Sequence, residues 1–369
     1  LTGNEGNHGE DVKELYYYVD NTPTHSYMKH LYKYSQHEYP YSDLVNTNRN
    51  RSKFEKEYEL LDTGLFNDGK YFDVQTEYAK NSAEDICIRI TVHNRGAENA
   101  YLAMLPTVWM RNHWSFGLMH QKPFIKLKEM NDYFGMAEVN HYWLGEYHFY
   151  FQKPDATLFT ENETNKEKLY GQKNETPFVK DAFHRAVVNN DYEFLEGKDE
   201  GTKFSPLYHL HIPAQSSATL KLRLSKHVLM HENPLGDTFD FIFEERIGEA
   251  NQFYEEVQRN IPDEDMRSIQ RQAFAGMLWS KQYFNIDIPR WLKGDEGQPA
   301  PPEARWHGRN HQWHALNNED IISMPDKWEY PWYAAWDLAF HCIPLSMVDP
   351  QFAKDQLILF LREWYMHPN

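Results

Sequence analysis

The chain has 369 residues, 41% apolar and 15% aromatic, with a formal net charge of −17. That charge argues against nucleic acid as a partner, because phosphates would be repelled. No run approaches the roughly 18–20 apolar residues of a membrane span, and the length suits two domains rather than one.

In chain order, residues 1–235 read as β-rich. "ICIRITVH" sets Ile86, Ile88, Ile90 and Val92 on one face and Cys87, Arg89, Thr91 and His93 on the other, the period of two of a half-buried strand. "TLKLRLS" repeats the alternation with Leu220, Leu222 and Leu224 inward, and "KYFDVQTEY", "YLAMLPTVWM" and "EYHFYFQ" are similar short runs. Many short strands separated by turns point to a β-sandwich. From Gly236 the period lengthens: Phe243, Ile247, Ala250, Tyr254 and Val257 fall at helical spacing, making 236–262 a helical connector. Beyond Pro262 comes a second stripe, Met266, Ile269, Ala273, Met277 and Phe284, which opens an α domain over 263–369. A Pro-rich loop follows, then a helix-like stretch from Trp332 to Ile343. Asp349-Pro350 is a cap and first turn for a last stripe of Ala353, Leu357, Phe360, Leu361 and Trp364. The stretch after Asp263 has room for only about three to five helices. Their apolar faces would stay uncovered without further chain, and the sequence opens on Leu1 with no secretory leader in view. The expectation is a piece of a longer polypeptide. Cys87 and Cys342 each lie in an apolar segment and read as buried thiols, which fits a reducing, cytoplasmic setting.

One segment concentrates chemistry. "WEYPWYAAWDLAFH", Trp328 to His341, sets Asp337 among three tryptophans, two tyrosines and a phenylalanine, with Asp326 and Glu329 close by. On a helix Tyr333, Trp336, Asp337 and Phe340 fall within about one turn. A carboxyl group dehydrated by aromatic neighbours holds its proton and donates it to a leaving oxygen. The structural alternative is a buried aspartate bonded to an amide. In "GMLWSKQYF", Trp279, Lys281 and Gln282 fall near the end of the first α-domain helix. "WHGRNHQWH" brings His307, His311 and His314 together, yet it follows a Pro-rich loop and has no acid at helical spacing, so it reads as a polar loop rather than a zinc site. "LPTVWMRNHWSFG", with Trp109, Arg111, Asn112 and Trp114, reads as an inter-domain contact or as the rim of an active site, the former preferred.

The Trp-Asp segment resembles that of glycoside hydrolase family 63, the family of processing α-glucosidase I and its bacterial relatives. "YYYVDNTPTHSYMKHLYKY", "EYELLDTGLF", "LPTVWMRNHWSFG", "LFTENETN", "VKDAFH" and "AFAGMLWSKQ" also resemble blocks of bacterial members, so the resemblance runs over nearly the whole chain. It implies a multidomain α+β architecture, an N-terminal β-sandwich followed by the opening helices of an (α/α)6 barrel. It also implies hydrolysis of α-glucosides or related α-linked sugars with inversion, a carbohydrate partner and no organic cofactor. Asp337 matches the family's general acid. The family's general base, a late glutamate, has no counterpart here and would lie beyond Asn369. In a sugar site at the barrel mouth, Trp279 would stack on a ring and Gln282 would bond hydroxyls. Trp328, Glu329, Trp332, Tyr333, Trp336 and Lys281 join them as expected sugar contacts, with no metal among the ligands. A glycoside phosphorylase on a similar scaffold and a non-catalytic sugar-binding or assembly fragment are the alternatives.

Overall fold

A computed structural model describes residues 14–117, 121–229, 233–296, 298–308, 311–324 and 335–362. The first part holds β1 (Leu15–Asn21), β2 (Tyr27–Ser35), α1 (Tyr41–Asn50), β3 (Tyr71–Ser82), β4 (Asp85–Asn94), β5 (Ala100–Met104), β6 (Val108–Trp109), β7 (Phe124–Met130), β8 (Phe134–His141), β9 (Gly145–Gln152) and β10 (Ala156–Thr160). Then come α2 (Lys166–Tyr170), α3 (Ala182–Asn189), β11 (Glu200–Gly201), β12 (Lys203–Ile212) and β13 (Ser217–Ser225). After them follow α4 (Asp237–Val257), α5 (Glu264–Trp279), β14 (Lys281–Asp287), α6 (Ile288–Lys293), β15 (Asn317–Ser323), α7 (Ala335–Val348) and α8 (Pro350–Arg362).

A nine-stranded sheet runs β1-β2-β3-β4-β13-β9-β8-β7-β11, and a smaller one runs β10-β12-β5 with β6 also on β12. The two pack face to face because their strands alternate. Phe72, Val92, Phe149 and Phe151 of the large sheet meet Phe159, Phe204 and Ile212 of the small one. The Phe151 and Phe204 rings lie 5.2 Å apart across the layers. Each such buried ring stabilises the fold by about 1.5–3 kcal/mol.

The large sheet is covered on its other face too. α4 lies there with Phe239, Ile242, Phe243 and Ala250 against Tyr27, Ala79, Cys87 and Tyr150. Cys87, on the face opposite the isoleucines of β4, is therefore fully buried, and burial pushes its thiol up to about 12. The polar residues that the alternation placed on this face pair among themselves. Arg89 donates to Glu77 at 3.0 Å and lies over the Phe243 ring, while Asp85 takes a two-pronged bond from Arg223 at 2.8 and 2.6 Å.

The helical region is anchored on the edge strand β1. Trp279, the last residue of α5, stacks on Tyr18 with centroids 5.2 Å apart, and its indole N–H donates to the Asp20 carbonyl at 3.2 Å. Arg271 of α5 donates through Nε and a terminal nitrogen to the Asp20 carboxylate and through its other terminal nitrogen to Asn251 of α4 at 2.9 Å. Tyr254, Phe274, Leu278, Cys342, Leu345, Val348 and Ala353 form a separate core linking α4, α5, α7 and α8.

Three sequence expectations need correction. The α5 stripe was drawn one face off: Phe274, Ala275 and Leu278 are buried, whereas Met266 and Ile269 are exposed. The helix also stops at Trp279, so Phe284 belongs to β14, a strand paired antiparallel with β15. On α8 the buried positions are Ala353, Gln356 and Leu359, while Leu357 and Leu361 face outward. Gln356 takes an interior place because its amide serves β15, donating to Ile321 O at 3.0 Å and accepting from Ser323 N at 3.3 Å. The predicted cap at Asp349 is present, its Oδ1 accepting from Phe352 N at 3.1 Å.

Candidate functional site

Asp337 sits in the first turn of the described part of α7, half-buried. Its aromatic neighbours Trp336 and Phe340 are 77% and 69% exposed, so neither supplies the dehydrated wall expected of them. Trp328, Glu329, Trp332 and Tyr333 lie outside the described residues. Among the described residues Asp337 has no ion-pair partner. One turn further on, His341 Nδ1 lies 2.9 Å from Ser323 Oγ of β15. Burial holds the His341 imidazole below its ordinary range, with the Asp337 charge pulling the other way.

The residues expected at the end of α5 have separate surroundings. The Trp279 ring is taken up by Tyr18, His30 and Tyr78. Lys281 is neither solvated nor free: its ammonium donates to Asp349 Oδ2 at 2.9 Å and lies 4.0 Å from the centre of the Phe352 ring. The Asp349 carboxylate thus caps α8 with one oxygen and holds β14 with the other. Gln282 stands on β14 opposite Ile322. In the histidine-rich loop, His311 Nδ1 is bound up with the Gly308 carbonyl at 2.6 Å, and Trp313 packs with Ile288, Leu292 and Leu316. Among the described residues no group of three His, Cys, Asp or Glu side chains could hold a metal ion. No described helix is long and apolar enough to cross a membrane.

Among the described residues, a feature that sequence reasoning left unassembled is a cleft of about 570 Å³ between the sandwich and the β14–β15 hairpin. From the sandwich come the residues after β6. Asn112 Oδ1 accepts from Ser115 N at 3.1 Å and starts a 3-10 turn, Trp114–Phe116, which ends on Gly117 at φ +67°. From the other side comes α6, capped by Asp287, whose Oδ1 accepts from Arg290 N at 3.1 Å. Arg290 then reaches across the gap and donates to the Phe116 carbonyl at 3.0 Å while pairing with Asp295 at 3.0 Å. That bond joins the two walls of the cleft. The "LPTVWMRNHWSFG" segment therefore touches α6 through Phe116 and lines a cavity as well, while its Trp109 and Arg111 are exposed. Within it, Trp114 is turned away, its Nε1 donating to Glu163 at 2.6 Å.

Aromatic surface and polar groups alternate along the walls. Trp143, at the tip of the β8–β9 hairpin, is 64% exposed and meets the His113 ring edge-on at 5.8 Å. Opposite stand Tyr283 and Trp291, 49% and 38% exposed. Tyr283 Oη donates to Glu319 Oε1 at 2.6 Å and accepts from Asn285 Nδ2 at 3.2 Å, which fixes the ring at the rim. The Arg111 guanidinium lies 5.8 Å from the Tyr283 centroid and has no carboxylate partner among the described residues. The buried Nδ1 of His113 has no hydrogen-bond partner. Burial first, then Arg111, His141 and Arg290, hold that imidazole below its ordinary range. The hairpin links the two regions: Ser323 at one end touches His341, and Glu319, four residues or roughly 13 Å away along the strand, borders the cleft.

No family model matches the chain. It is 40% identical, over an alignment of 410 residues, to the uncharacterized protein YMR196W of Saccharomyces cerevisiae; the match takes in 100% of this chain and 38% of the yeast protein. The chain thus spans well under half the length of that relative. Among solved structures, a putative kojibiose phosphorylase from the human microbiome aligns over 57% of this chain and 22% of its own, at 8% identity and a TM-score of 0.25. A likeness of that size carries no argument about fold or function.

Proposed function

We propose that the chain is part of a carbohydrate-active enzyme that hydrolyses α-linked glucosides or related sugars with inversion, Asp337 acting as general acid. The observation that carries the carbohydrate reading is the cleft. Exposed Trp143, Tyr283 and Trp291 offer flat apolar faces of the kind that meet the C–H face of a pyranose, and amide, guanidinium and imidazole groups lie between them. In the reaction Asp337 gives its proton to the glycosidic oxygen as the bond from C1 to that oxygen breaks, the electron pair leaving with the oxygen. Water attacks C1 from the opposite face and loses a proton to a second carboxylate. α5, α7 and α8 are the opening helices of the barrel in this reading. The outward Met266, Ile269, Ile343, Met347, Leu357 and Leu361 support it, being apolar side chains at helical spacing on the surface.

The test is Asp337→Asn in the intact polypeptide, assayed on a panel of α-glucosides. The amide keeps the shape and loses the proton, so turnover falls at least about a hundredfold with sugar affinity unchanged. Turnover within tenfold of the parent removes Asp337 from the acid role.

A further inference from the structure

We infer that the cleft between the β6–β7 segment and the β14–β15 hairpin is a binding site for one ring of an uncharged sugar, with Trp143 as stacking platform and the Arg111 guanidinium as hydroxyl partner. The inference rests on the carbohydrate reading above and deepens it, since it assigns a place and a ligand charge to recognition. It is independent of which residue donates the catalytic proton.

Three observations carry it. First, Trp143 stands at a hairpin tip with Tyr142 and Leu144, all three more than 60% exposed, and although its ring meets those of His113, His141 and Tyr142, most of the indole stays open. The tip is held in place by Gly145 at φ +78° and by Trp143 N donating to His141 Nδ1 at 3.3 Å, so the ring is presented at the cleft rather than packed away. Second, the Arg111 guanidinium lines the cleft, is exposed and has no carboxylate partner among the described residues, so its N–H donors face a ligand's oxygens. A hydroxyl accepts from them without bringing a charge of its own. Third, the walls disfavour an anion. Asp287, Asp295 and Glu319 border the cleft against Arg111 and Arg290, and Arg290 is already paired with Asp295. A polyol instead uses the Arg111 donors for its oxygens and its C–H faces for Trp143 and Tyr283.

The test is calorimetric titration of neutral α-linked glucose disaccharides, and of the corresponding glucuronic acid disaccharides, into the intact polypeptide. An Asp337→Asn background prevents turnover. The expectation is that Trp143→Ala weakens neutral disaccharide binding at least tenfold and Arg111→Ala at least fivefold. Trp143→Phe stays within about threefold, and glucuronides bind at least tenfold more weakly than their neutral counterparts. Trp143→Ala alters an exposed tip, and an unchanged melting temperature confirms that any loss is local. Neutral sugar binding that survives both alanine variants within twofold overturns the cleft assignment and leaves the carbohydrate reading standing. Tighter glucuronide binding overturns the charge assignment. Absence of binding to any of these sugars overturns the inference and the carbohydrate reading together.

Discussion

The joint between sandwich and helices is predicted to depend on one ion pair, Asp20 with Arg271. Asp20 takes two charge-assisted bonds from the guanidinium, one of them at 3.0 Å, and the side chains are 9% and 23% exposed. Removing one partner of a buried pair costs about 3–5 kcal/mol, mostly because the other charge is stranded. In Asp20→Asn, Arg271 keeps its bond to Asn251 and its place over the Tyr254 ring at 4.6 Å, and its partial exposure admits water. Both effects pull the cost to the low end, about 3 kcal/mol. Arg271→Met strands the more buried carboxylate and costs somewhat more. The double variant recovers part of the loss, because neither charge is then left alone. A double-mutant cycle by equilibrium urea denaturation should therefore give a coupling of about 2 kcal/mol. Coupling below about 0.5 kcal/mol refutes the view that this pair, rather than the Trp279–Tyr18 stack, fixes the joint.

Stability should fall on acidification through the outer face of the large sheet. Burial works against the charges of Asp73, Glu77 and Asp85, but hydrogen bonds from Lys33 and Arg95, from Arg89 and Tyr27, and from Arg223 and Asn81 outweigh it and hold all three below the usual carboxylate range. Groups depressed in this way stabilise the fold above their unfolded values, near 4, and lose that contribution as pH drops through the folded ones. Melting temperatures that stay level between about pH 5 and pH 2.5 contradict this. Gly201→Ala should cost about 1–3 kcal/mol by overpacking, since a Cβ there would stand 2.4 Å from the Thr160 carbonyl oxygen where β10 meets β11. A variant melting with the parent shows that the backbone yields. Lys281→Met should loosen the start of α8, because Asp349 would lose its cation at the elbow between α7 and α8. Hydrogen exchange at Phe352 and Ala353 that matches the parent rules this out.

The sandwich was legible because its evidence is local. Alternation at residues 86–93 and 220–224 names both faces of two strands, and the stripe through Phe243, Ala250 and Tyr254 marks the helix that covers one of them. The β14–β15 hairpin was missed because Phe284 continues the helical spacing from Met277. The competing signal was the alternation of Phe284 and Ile286 with Tyr283 and Asn285. The cleft was beyond sequence reasoning for another reason. Its walls are joined by Arg290 reaching a carbonyl 174 residues earlier, a contact that no periodicity encodes. Asp337 stands out in the sequence for its aromatic surroundings, yet Trp336 and Phe340 are largely exposed. Sequence composition names which rings are present, and only packing decides which of them face the carboxylate.

The most direct test of the account follows product stereochemistry. The intact polypeptide is given an α-glucoside, with and without phosphate, and the first-formed sugar is watched by proton NMR. Release of the β-anomer without need for phosphate, abolished by Asp337→Asn, is the predicted result. First-formed α-glucose, a sugar phosphate as product, or cleavage that survives the substitution contradicts it.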